Sequence, residues 1–179
     1  DGIAFKIATK VVDPRWREPA LLAFGQLAFL TANGAPAPAA VLELVRRHWD
    51  DSALCLLEER ANLIADLVCE LPDGLIEVVV DQAIEELAVT YSRLGTNEKH
   101  GVLRERVIMR LAQLRRRMAD GRNDGSSPIF DERMAFVLRS HPALVAPLAH
   151  IVLHRAWYSS PVMIAMAESK NNLPKVLQR

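Results

Sequence analysis

The chain has 179 residues, half of them hydrophobic, and 22 basic side chains balance 22 acidic ones. That length suits one domain with enough apolar residues for a real core, and the neutral total argues against general nucleic-acid binding. No apolar run approaches the roughly 20 residues that span a bilayer, and Asp1 to Lys10 lack the features of a secretory signal, so a soluble, intracellular protein, most simply cytoplasmic, is expected.

In chain order, Gly2 to Val12 reads as the tail of an earlier element. Asp13-Pro14 reads as an N-cap followed by a first-turn proline, opening a helix through Leu21, Leu22, Phe24, Leu27 and Phe29 to a stop at Asn33-Gly34. Pro19 lies inside that helix and predicts a kink or a fresh start. After the loop Ala35-Pro36-Ala37-Pro38, a second helix is expected over 38–48.

Asp51 or Ser52 is placed to cap the next helix, with Leu54, Leu57, Ala61, Ile64 and Val68 on one face. The turn Leu71-Pro72-Asp73-Gly74 leads into a partner over 75–94, with Ile76, Val80, Ala83, Leu87 and Tyr91 inward, ended by Gly95. The β-formers Val78-Val79-Val80 sit within this helical period and are assigned to it. A fifth helix after Thr96-Asn97 carries Leu103, Val107, Leu111, Leu114 and Met118. Gly121 to Pro128 is the expected flexible loop. Three further helices are expected over 129–139, 142–158 and 161–170, with a bend at Pro147.

The fold class that follows is all-α, with about eight helices in an irregular stack of antiparallel hairpins, a HEAT-like α-solenoid forming a single domain over 1–179. A compact helical bundle is the alternative. Lys175 to Arg179 resembles the start of another element, so the chain is expected to be a fragment of a larger protein.

Charge is segregated along the chain. Asp50 to Glu86 holds eleven acids and one base, whereas Arg104 to Arg122 holds seven arginines against Glu105 and Asp120. On a helix, Arg106, Arg110 and Arg117 fall within about 40° of one another. Glu77, Asp81 and Glu85 form an acidic row at i, i+4, i+8, where like charges work against the helix. A short connection would let the two rows meet as ion pairs; otherwise the arginine row is a solvated face or grips an external anion.

Candidate chemistry is sparse. His150 and His154 have metal-ligand spacing, but Ile151-Val152-Leu153 between them lacks a zinc protease's glutamate, and only His141 offers a third ligand. Cys55 and Cys69 would lie roughly 21 Å apart on one helix, too far for a disulfide, and read as small buried hydrophobes. Ser159-Ser160 reads as a cap for the helix at Pro161. There is no phosphate loop and no glycine-rich dinucleotide fingerprint. No catalytic residue, cofactor, metal or small-molecule substrate is therefore assigned.

The run Asp13-Pro14-Arg15-Trp16-Arg17-Glu18-Pro19-Ala20-Leu21-Leu22-Ala23-Phe24-Gly25 resembles a segment that follows the nucleotide-binding module in NACHT-type STAND signalling NTPases, where a "DxRWRE" start opens an apolar helix ending near a glycine. Glu58-Glu59-Arg60-Ala61-Asn62-Leu63-Ile64-Ala65-Asp66-Leu67 is similar to the helices that come next there, so the likeness covers about the first 90 residues. The resemblance implies a helical sensor, autoinhibitory clamp or oligomerisation surface: a non-catalytic interaction module whose partners are other proteins or the rest of its own parent chain. A structural subunit of a large assembly is the alternative. The interaction candidates are Trp16, expected to be largely buried as a helix anchor, and Arg106, Arg110 and Arg117.

Overall fold

The computed structural model describes residues 2–30, 38–49, 53–119, 127–155 and 157–168. These residues are all-α, as the periodicity predicts. They comprise nine α-helices and two short 3-10 turns: α1 (Ile3–Val11), α2 (Arg17–Leu30), α3 (Pro38–His48), α4 (Leu54–Cys69), α5 (Asp73–Leu94), α6 (Gly101–Arg117), α7 (Pro128–Ser140), α8 (Val145–Arg155) and α9 (Ser160–Glu168). The expected stop at Asn33-Gly34, the cap at Asp51 or Ser52, most of the loop 121–128, the segment 175–179 and the side chains of Leu27 and Phe29 lie outside the described residues.

Both internal prolines mark fresh helix starts. Pro19 is the third residue of α2 and Pro147 the third of α8. In a first turn the backbone N–H has no intrahelical acceptor, so the missing donor costs nothing there. The expected helix over 142–158 is accordingly split into a 3-10 turn, Pro142–Leu144, and α8.

The chain divides into two compact units, 1–79 and 80–179, with the division inside α5. In the first unit α1, α2 and α3 pack against one another, and α4 packs against α2 and α3. Phe24, Leu42, Leu57 and Ile64 are fully buried there. Three contacts set the register of these helices. Arg17 donates to Asp66 at 2.9 Å, and the Trp49 indole donates to the Leu56 carbonyl at 2.7 Å. Gly25 passes so close to the end of α4 that a Cβ would stand 2.9 Å from the Glu70 carbonyl oxygen.

In the second unit α7 packs chiefly on α9, two helices along the chain, and also on α6. Small buried residues, Ala135 on α7 and Ala165 on α9, suit a close approach of helix backbones. The expected inward residues Ala83, Leu87, Val107, Leu111 and Leu114 are all fully buried. Gly95 takes φ 58°, the left-handed conformation glycine tolerates, and ends α5 as expected. Arg104 then pins the connection by donating to the Gly95 and Asn97 carbonyls at 2.7 and 2.8 Å.

Candidate interaction site

Trp16 is not the buried anchor expected of it. Asp13 does not cap α2; its carboxylate accepts from the Arg15 backbone N–H at 3.0 Å and from Nε and Nη2 at 3.2 and 3.0 Å. These Arg15 hydrogen bonds hold the Asp13 carboxyl below its ordinary range. The Trp16 N–H closes a turn onto the Asp13 carbonyl at 2.9 Å, and the Trp16 carbonyl receives the Ala20 N–H at 2.9 Å. Trp16 thus precedes the helix, and the inward positions fall to Ala20, Leu21 and Phe24 while Leu22 is exposed. The tryptophan remains 49% exposed, with Lys10 Nζ 5.1 Å from its ring centroid.

The ring stands at a groove between α1 and α2, a cavity of about 340 Å³. α1 contributes Ile3 and Ile7 together with Lys6 and Lys10, one stripe at helical spacing; α2 contributes Pro19, Ala20 and Ala23. The small residues of α2 leave the floor unfilled, which is why a groove exists between two helices that pack together. Among the described residues its lining is apolar except for Gln26 and the two lysines.

The arginine row lies in the other unit, and Asp81 and Glu85, two of the acids expected opposite it, meet other residues. Asp81 is gripped by Arg133 of α7, with Nε donating at 2.8 Å and Nη2 also bonded. Glu85 lies 3.8 Å from His141. Within the second unit, Asp81 and Glu85 are therefore met by Arg133 of α7 and by His141 just beyond its end. Arg106 and Arg117 are exposed, and Arg110 donates to Gln113 at 2.8 Å.

The α6 arginine that turns inward is Arg115, which the sequence reading passed over. It is 17% exposed, donates to buried Asp131 at 3.2 Å, and lies 5.4 Å from the Trp157 ring, which meets Phe130 edge-on. A signal was present: Arg115 follows Leu111 by four, so it borders the buried stripe.

His150 and His154 stack at 6.5 Å, but their partners differ. The Tyr91 hydroxyl is 2.8 Å from His150 Nδ1, while His154 lies 3.8 Å from Glu105. Burial raises the Tyr91 hydroxyl above its ordinary pKa. Among the described residues no three His, Cys, Asp or Glu are grouped to hold a metal ion. The cysteines depart from expectation in burial: Cys55 is exposed and Cys69 half-buried, and neither forms a disulfide. Cys55 sits in the first turn of α4, two residues before Leu57, the first buried residue of that helix. No single described helix is long and apolar enough to cross a membrane.

Of the four residues read from sequence as interaction candidates, the structure sets Trp16 in a shaped site and leaves Arg106, Arg110 and Arg117 along one helix. No protein-family model matches the chain, and neither does any curated protein or solved structure.

Proposed function

We propose that this chain is a non-catalytic interaction module, the sensor or regulatory helical region of a larger NACHT-like signalling NTPase, which meets its partner at the α1–α2 groove. The observation that carries this is Trp16: a large aromatic held half-exposed by a pinned turn, at the mouth of an apolar groove. Half-exposed tryptophans beside apolar pockets are the residues that dominate protein interfaces, since a partner completes the burial that folding leaves undone. The same turn belongs to the stretch Asp13 to Gly25 that resembles the NACHT-associated segment, which supports assigning the groove to a partner or to the nucleotide-binding half of the parent.

A structural subunit of a multi-protein assembly is the second reading. It is favoured by the apolar side chains exposed on and beside α7 and α9: Phe136, Tyr158, Met163 and Ile164.

A photoreactive benzoylphenylalanine at position 16 of the full parent chain tests the proposal, with position 102 as control because Val102 is exposed on α6. The expected result is a discrete protein adduct from position 16 alone whose yield changes with bound nucleotide. An adduct indifferent to nucleotide favours the structural subunit. No adduct from position 16 overturns the interaction reading of the groove.

A further inference from the structure

Resting on the interaction reading, we propose that the α1–α2 groove receives an amphipathic helix bearing acidic residues beside its apolar stripe. Shape comes first. About 340 Å³ is at the small end of the roughly 300–1,000 Å³ of ligand pockets, and such pockets enclose most of what they bind. This one is open: Ile3 and Trp16 in its lining are about half exposed. An open trough between two helices suits side chains inserted from a partner helix at i, i+4 spacing better than an enclosed small molecule. A flat bilayer surface would not fill a concave floor of Pro19, Ala20 and Ala23.

Charge then selects the sign of the partner. Lys6 and Lys10 stand one helical turn apart on the α1 wall, and among the described residues no acid lines the groove. The acid nearest Lys10 in sequence, Asp13, is taken by Arg15, and Glu18, although it adjoins Pro19, is not among the described residues that line the groove. Two ammonium groups one turn apart repel, and a carboxylate seated between them relieves that repulsion while its neighbouring leucines cover the floor. Lys10 also lies over Trp16, so a carboxylate there would meet a cation already positioned by the ring.

The test is an NMR titration of the isotope-labelled full chain with two synthetic amphipathic helices. Both carry leucines at i, i+4 and i+7, flanked by glutamates in one and by lysines in the other. The Trp16 indole N–H signal, identified by its loss in Trp16→Phe, and the Lys6 and Lys10 amides are followed. The glutamate peptide should shift them saturably, and the lysine peptide should not. Lys6→Glu with Lys10→Glu should weaken the glutamate peptide by about tenfold or more and let the lysine peptide bind. Equal binding of both peptides, or no shift with either, overturns the proposal. Shifts produced instead by dodecanoate, by anionic vesicles or by self-association of the chain also overturn it. If the peptides fail while the nucleotide-dependent adduct at position 16 persists, the acidic-helix proposal falls and the interaction reading stands; loss of both removes both.

Discussion

Arg133 grips Asp81 across 52 positions of sequence, with Nε 2.8 Å from Oδ1, even though burial raises the Asp81 carboxyl above its ordinary range. Desolvation is the larger influence, the Arg133 hydrogen bonds and charge oppose it, and the nearby Glu85 charge adds to it. The guanidinium therefore compensates in part for the burial of this carboxylate.

A pH dependence follows. The folded state holds the Asp81 proton more tightly than the unfolded state, so this group's contribution to stability is fully present below its ordinary value of 3.8 and is lost as pH rises through the raised folded value. A carbon-detected NMR titration should place the Asp81 midpoint above 3.8. Arg133→Met should move it higher still, because the opposing influence is gone. A midpoint at or below the ordinary value would show that the arginine, not burial, dominates.

Arg115→Met should be among the most damaging single changes in the second unit. It would leave Asp131, with only 7% of its side chain exposed, without the partner that faces it. Removing one member of a buried pair costs about 3–5 kcal/mol, because the remaining charge stays desolvated. Chemical denaturation should show that loss, and Asp131→Asn in the Arg115→Met background should recover part of it. A loss below about 1 kcal/mol would mean the pair behaves as a surface ion pair.

Two glycines should respond in opposite directions to alanine. At Gly25 the added Cβ would stand 2.9 Å from the Glu70 carbonyl, a backbone atom that cannot swing aside. Overpacking costs about 1–3 kcal/mol, which outweighs the gain in helix propensity of about 1 kcal/mol. Gly74, near the start of α5, has nothing within 4 Å, so propensity alone acts there and stability should rise. Melting temperatures of Gly25→Ala and Gly74→Ala moving together would refute the close approach of α2 to α4.

Tyr91→Phe removes the hydroxyl that meets His150 at 2.8 Å and should cost about 0.5–1.5 kcal/mol, since His150 is exposed enough for water to replace the partner. Burial raises the Tyr91 pKa, so its contribution is complete below its ordinary value of 10.0 and declines as pH rises through the raised one. Alkaline denaturation should therefore be steeper above pH 10.0 for the natural chain than for Tyr91→Phe. Parallel curves would place the hydroxyl in water.

The recurrence of apolar residues every three to four positions is a local property, and it was sufficient for the all-α class and for the buried stripes of α4, α5 and α6. Helix limits at Gly95 and the start of α3 at Pro38 were equally legible, because capping and the backbone limits of glycine and proline act within a few residues. The exposure of Trp16 was not, because it depends on whether α2 begins at Pro14 or at Arg17, and the Asp13–Arg15 turn competes for that stretch. Sequence named an acidic row on α5 and an arginine row on α6, yet the arginine that meets Asp81 comes from α7 and the one that turns inward on α6 is Arg115. A helical period shows which side of a helix seeks burial; which neighbour covers that side, and so which charge lies opposite which, is decided only when the helices pack.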